Sequence, residues 1–512
     1  MRKIIVCLLL CSPALLHAQK KDKTAEKMAK TITADDMKKH LYTIASKEME
    51  GRDTPSPGLE KAANYIEAHF KSLGLLPGNK DSYRQFYPLY KDSVIAGGLK
   101  INGVAFEMNK DFQPQINSYA AEMRFSEIVF AGYGISDDKR DDYKDLKVAG
   151  KLVLILDGTP ADYKSNQQGF RSPASSFGKT NAAMNKGAAG LIIVYNNFPR
   201  KASTTSSNWT MNSYKAVQNP FTFYVSAEVA SKLVGSDGNI FDKMKSGLVE
   251  SKIYPAEVNM SFSKTILTTQ ASNVLGLLEG TDKKDEYVVI TSHYDHVGKR
   301  NDTTIYYGAD DDGSGTTGIL ELAEAFAKAK AEGKGPRRSI LFMTVSGEEK
   351  GLWGSEYYSN HPVYPLDKTT VDLNIDMIGR IGSEYLKDKD SLNYVYVIGD
   401  DKLSTDLATI TDKVNATYSK MKLDRKYNDP NDPNRFYYRS DHYNFAEKGV
   451  PIIFYFNGVH ADYHRPTDTP DKINYPLMAK RAQLVFYTAW EMANMDAMLK
   501  RDMKLETPSR GF

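Results

Sequence analysis

Tyr287-Val288-Val289-Ile290-Thr291-Ser292-His293-Tyr294-Asp295-His296 decides the fold. Its opening residues are apolar or β-branched, the pattern of a strand buried on both faces. A His, and an Asp two residues further on, follow where that strand runs out. The texture recurs downstream: Ser339–Val345, Val371–Asp376, Tyr394–Ile398 and Pro451–Phe456 read as strands. Between them, Ile319, Leu322, Ala323 and Phe326 recur at helical spacing. Strands alternating with helices predict an α/β protein, a three-layer sandwich around a mixed, largely parallel sheet. Ligands in such sheets bind outside the carboxyl ends of the strands, which is where the chemically interesting residues fall.

Those residues form five segments: the His293 segment, Gly308-Ala309-Asp310-Asp311-Asp312-Gly313-Ser314-Gly315, Ser346-Gly347-Glu348-Glu349, Asn374-Ile375-Asp376-Met377, and Tyr463-His464-Arg465-Pro466-Thr467-Asp468. In the first, one ring nitrogen of His293 can bind metal while Asp295 accepts a hydrogen bond from the other and fixes the tautomer. Three adjacent Asp repel one another unless a cation sits among them, although an acidic helix cap reads the same way. The Asp-x-Asp-x-Asp spacing of a calcium loop is absent. Of the paired Glu, one can ligate while its neighbour serves as base. Asp376 ends an apolar strand, where an unpaired carboxylate is costly. Each segment alone also fits a bland reading, a surface turn or a cap. Their joint order, His…Asp…Glu-Glu…Asp…His with each at a strand end, does not.

The remainder of the chain organises around this part. Met1-Arg2-Lys3, the apolar run Ile4 to Leu16 and Ala18 predict an export signal over residues 1–18. A lipid anchor through Cys11 is the alternative. Both cysteines, Cys7 and Cys11, fall inside that signal. Past it, thiol chemistry and Cys-held metal are excluded, and any metal is held by His, Asp and Glu. Residues 31–118 and 265–500 are expected to form the catalytic domain in two parts. Residues 119–264 change texture, with strands at Glu127–Phe130, Lys151–Leu156 and Gly190–Tyr195 and a helix at Lys179–Lys186. They lack carboxylates at metal spacing, and read as an inserted, smaller, β-rich α+β domain. The turn-rich stretch Tyr427–Arg435 is expected as an exposed loop near the site.

The five segments resemble the co-catalytic dizinc aminopeptidase family, related to glutamate carboxypeptidases, glutaminyl cyclases and the transferrin receptor. Glu50-Gly51-Arg52 and Asn273-Val274-Leu275-Gly276 also look like that family's secreted members. The resemblance implies two Zn2+ ions per chain, one held by Asp311, Glu349 and His464, the other by His293, Asp311 and Asp376. The bridging role falls to Asp311, fourth from Gly308. Glu348 is then the general base and Asp295 the partner of His293. Tyr463 is a candidate donor to the oxyanion, and Arg439, in Arg439-Ser440-Asp441-His442, a candidate substrate contact. His296, His442 and His460 are read as local hydrogen-bonding residues. The insert resembles the protease-associated domain through Asp142-Tyr143-Lys144-Asp145-Leu146, Gly150-Lys151-Leu152-Val153 and Lys186-Gly187-Ala188-Ala189-Gly190.

Composition sets the outer bounds. Hydrophobic residues are 41% and charged residues 26% of the chain, the balance of a globular protein, and net charge is +3. No basic block points to nucleic acid, and past residue 18 no segment is apolar enough for stable membrane insertion. The expected function is an exported peptide hydrolase acting at the amino terminus. A glutamate-releasing carboxypeptidase or dipeptidase is the alternative, with a glutaminyl cyclase or a non-catalytic binding protein behind it. Peptides are the expected partners; the sequence leaves the oligomeric state open.

Overall fold

The computed structural model describes residues 21–199, 205–212, 219–246 and 248–505. The expected export signal and Cys11 lie outside the described residues. The chain divides into two compact units, Met1–Tyr87 with Gln270–Phe512, and Pro88–Thr269.

The first unit is built on the strands read from sequence. β1 (Ile253–Leu278) enters it from Gln270 onward; β2 (Lys283–His293), β3 (Arg338–Val345), β4 (Thr369–Ile375), β5 (Tyr394–Ile398), β6 (Lys422–Asp424) and β7 (Ile452–Phe456) follow. They lie in the order β6-β5-β7-β4-β2-β3-β1. The four central strands are parallel, with Val288 opposite Ile340 and Val371, and Leu373 opposite Ile453. β1 joins β3, and β5 joins β7, antiparallel. The sheet is therefore mixed and largely parallel, in an α/β fold.

Side chains alternate across a strand, and this alternation builds two cores. Phe342 meets Phe70 of α2 (Pro57–Ser72) and Phe326 of α3 (Gly313–Ala331). Phe326 in turn packs on Phe486 and Trp490 of α7 (Tyr475–Asn494). Its neighbours Leu341 and Met343 join a second cluster with Val289, with Tyr358 of α4 (Trp353–Asn360) and with Phe445 of α6 (His442–Glu447). Helices α1 (Ala34–Ile44) and α5 (Leu407–Thr417) also lie against α7. The helix starts are capped: Thr33 accepts from the Asp36 N–H, Ser56 from Leu59 ahead of Pro57, and Asn474 from Leu477.

The second unit has parallel strands Ala121–Phe130, Leu152–Leu156, Gly190–Tyr195 and Phe221–Ser226. Leu154 and Ile192 face one core, Val153 and Ile193 another. Leu99, Ile101 and Phe112 are buried in the first of these. The unit accordingly starts at Pro88 and ends at Thr269, rather than spanning the expected 119–264. The strand Arg84–Ile101 and the short strand Phe112–Pro114 supply apolar surface to that core, and draw residues 88–118 out of the catalytic part.

Candidate metal centre

Four adjacent parallel strands end at the centre. His293 closes β2, Glu348 and Glu349 follow β3, Asp376 follows β4, and His464 lies in the segment after β7. Asp311 comes from the loop that leads into α3.

The neighbouring carboxylates sort by their hydrogen bonds. Asp312 caps α3, accepting from Gly315 N–H at 2.8 Å, Met377 N–H at 3.0 Å and His293 N–H at 3.2 Å. Asp310 accepts from Gly379 N–H at 2.7 Å and Asn457 Nδ2 at 3.1 Å, and lies 3.1 Å from His460 Nε2. Both are saturated with donors. Asp311 is different: Oδ1 is 3.3 Å from His293 Nε2, and Oδ2 is 3.0 Å from His464 Nε2. Burial raises its carboxyl, but the imidazoles of His293 and His464 outweigh that and hold it well below the usual carboxylate range. Gly315 is required by closeness, since a Cβ there would stand 2.4 Å from both Asp312 oxygens and from the Ile375 carbonyl.

Two groups of potential ligands result, and they share Asp311. One is His293, Asp311 and Asp376; the other is His296, Asp311, Glu349 and His464. Within each group one ligand atom per residue lies within 4.8 Å of every other. His464 Nε2 is 3.1 Å from Glu349 Oε2, and His293 Nε2 is 3.7 Å from Asp376 Oδ1. Ser440 Oγ donates to the other Asp376 oxygen at 2.6 Å and orients it. His293 Nε2, both His296 ring nitrogens, Asp311 Oδ2 and Glu349 Oε1 are buried without hydrogen bonds. Buried polar atoms are normally satisfied, so orphans converging from imidazoles and carboxylates fit a cation.

The expected ligands His293, Asp311, Glu349, Asp376 and His464 thus converge, and His296 joins them. Its Nδ1 is 2.8 Å from Glu349 Oε1. The sequence signal was its place at the end of the His-x-Asp-His segment. The link between His293 and Asp295 has a different form from the one expected. His293 Nδ1 is 3.1 Å from the Asp295 backbone carbonyl and 3.7 Å from its carboxylate. That carboxylate instead accepts from Thr54 Oγ1 at 3.0 Å and from the Glu348 N–H at 3.2 Å. It therefore anchors the turn that carries the Glu pair.

Arg52 is a positioning residue that sequence reasoning left without a role. It is fully buried. Its guanidinium donates to the carbonyls of Tyr294, Ile44, Tyr307 and Gly308, at 2.7–2.9 Å. One side chain thereby ties the His293 segment to the Asp311 loop.

Beside the ligands lies a cleft of about 350 Å³, lined by Glu348, Phe436, Arg439, Phe456 and Tyr463 among others. The Glu348 carboxyl is pushed well above the usual range by burial, against the pull of His293. Tyr463 stacks on the His464 ring, with centroids 4.0 Å apart, and burial keeps its hydroxyl protonated. Arg439 is exposed, 5.1 Å above the Phe436 ring.

Fold and site together define a class: α/β enzymes that hold metal with His and carboxylate groups at the carboxyl ends of parallel strands. Residues 273–489 match the model of peptidase family M28. A "Probable leucine aminopeptidase" of Arthroderma otae is 27% identical over 267 residues, 48% of this chain and 69% of that protein. A "Probable glutamate carboxypeptidase LAMP1" of Arabidopsis thaliana is 30% identical over 123 residues, 24% of this chain but 17% of that protein. An aminopeptidase structure from Aneurinibacillus sp. strain AM-1 superposes with a TM-score of 0.50 at 20% identity, covering 94% of this chain and 98% of that one. It shows a shared fold.

Proposed function

We propose that this chain is an exported zinc aminopeptidase. The observation that carries the reading is Asp311, shared by two ligand groups with Glu348 standing beside them. His293, Asp311 and Asp376 would hold one Zn2+, and Asp311, Glu349 and His464 the other, with His296 against Glu349. When bound, the ions supply Lewis acidity to the water and to the scissile carbonyl. Glu348 takes the water proton on its carboxylate as the carbonyl is attacked, then delivers it to the leaving amine. A raised carboxyl suits both halves of that task. Tyr463 donates to the developing oxyanion. The acidic floor of the site suits a free amino terminus, and Phe436, Phe454 and Phe456 along the cleft suit an apolar first side chain.

A glutamate-releasing carboxypeptidase is supported by Arg439, the one cationic side chain lining the cleft among the described residues. A single exposed Arg is a weak grip for two substrate carboxylates, which favours the aminopeptidase. The insert is proposed as a protease-associated domain acting in substrate access. Export rests on residues 1–18. No helix among the described residues is long and apolar enough to cross a membrane.

A panel of aminoacyl p-nitroanilides, N-blocked dipeptides and C-terminal glutamyl dipeptides, run with and without chelator, tests the function. Cleavage of free-amino substrates alone, lost on chelation, is expected. Release of glutamate from N-blocked dipeptides would replace this reading with the carboxypeptidase.

A further inference from the structure

His40 of α1, His69 of α2 and Glu324 of α3 meet away from the centre described above. Each can offer a ligand atom, and these atoms lie within 4.8 Å of one another. Glu321, three residues before Glu324 and so on the same helix face, lies outside that group and borders it at His40. Its side chain is 1% exposed. Its Oε1 has no hydrogen-bond partner and lies 3.6 Å from His40 Nε2.

The surroundings orient both rings as ligands. His40 Nδ1 is 2.7 Å from the Tyr65 hydroxyl, which leaves Nε2 facing Glu321. His69 Nε2 is 3.4 Å from the Leu320 carbonyl, an acceptor only, so Nδ1 keeps the lone pair. The two rings lie edge to face, with centroids 4.7 Å apart. Lys328 pairs with Glu324 Oε1 at 2.5 Å and leaves its second oxygen for an ion. A buried carboxylate oxygen without a donor is costly, and none of the contacts around Glu321 Oε1 is a hydrogen bond. Two imidazoles and the Glu324 carboxylate converge, with the Glu321 carboxylate against His40, and these are ligand types that zinc takes. Glu321 lies ten residues beyond Asp311, roughly 15 Å at helical rise, so the two sites are distinct.

We propose that His40, His69, Glu321 and Glu324 form a further, structural divalent-metal site, for zinc foremost, that staples α1 and α2 to α3. The ion ties together three helices far apart in sequence, one of which begins at the catalytic loop.

Full-length protein, stripped of metal and then titrated with zinc, tests this by elemental analysis and thermal unfolding. Glu321→Gln and His69→Gln are each expected to bind one zinc equivalent fewer than the unaltered chain. Peptide hydrolysis should be unchanged. Their unfolding midpoints should fall several degrees below it with zinc present, and should converge on it in chelator. Asp311→Ala should keep this equivalent while losing zinc at the catalytic centre. If His69→Gln fails to fold, the isosteric Glu321→Gln decides. Equal zinc content in Glu321→Gln and the unaltered chain, or a midpoint difference that zinc does not change, overturns the proposal.

Discussion

Residues 310–312 are the same amino acid with three different duties. Asp312 caps a helix, Asp310 collects donors from Gly379, Asn457 and His460, and Asp311 faces the imidazoles. Family resemblance picked out Asp311 from sequence, and the hydrogen bonds give the physical reason. His296 was harder to read, because an imidazole beside a complete ligand pattern has a ready structural explanation. Only its distance to Glu349 and its two orphaned nitrogens make it part of the cluster. Arg52 was illegible as an anchor, since its partners are backbone carbonyls, which carry no sequence signature. The Glu pair makes a sharp prediction. Glu349 meets His464 and His296, whereas Glu348 lines the cleft. Glu348→Gln is therefore expected to lower kcat by about 10²–10⁴ with metal content unchanged. Steady-state kinetics paired with elemental analysis checks it, and a fully active, metal-replete variant removes Glu348 as the base.

Buried parallel strands announced themselves as apolar runs, and the observed limits of β3, β5 and β7 lie within a residue of those read. The long strands Arg84–Ile101 and Ile253–Leu278 did not, because they are half-exposed over much of their length and Gly97-Gly98 interrupts the first. The helix read at Lys179–Lys186 runs over Ser176–Asn185, and its start holds an unexpected element. Lys179 is fully buried and donates to the carbonyls of Leu156 at 2.8 Å and Gly158 at 2.6 Å. Burial lowers its amine to about 8, although Asp157 and Asp142 oppose this. The unfolded chain keeps that proton up to the ordinary 10.5. Between these values the unfolded state binds more protons, so raising pH stabilises the fold. The stability of the unaltered chain relative to Lys179→Met should grow by about 1–3 kcal/mol from pH 8 to 10. Denaturant titrations at both pH values measure it, and a constant difference would mean that Lys179 stays charged throughout.

The two units have separate cores, and their chemistry is unequal. Leu154, Ile192 and Phe223 centre one, Leu341, Phe445 and Phe454 the other, and every group of potential metal ligands among the described residues belongs to the latter unit. Sequence texture set the insert at 119–264, whereas the compact unit starts at Pro88, because residues 88–118 carry neither motif nor apolar run and join that core through side chains such as Leu99 and Phe112. Metal removal should therefore act on one unit. An ion that binds only the folded state stabilises it by about 4 kcal/mol when present at ~1,000 times its dissociation constant. For a unit of this size that is a midpoint rise of roughly 5–10 °C. The insert has no such contribution, so its transition should stay where it is. Calorimetry of the full chain with zinc and with chelator should show two transitions in chelator, of which zinc moves one upward. Assigning the moved transition to residues 270–505 by hydrogen exchange completes the test. A single transition that shifts as a whole would show instead that the insert and the catalytic unit unfold together.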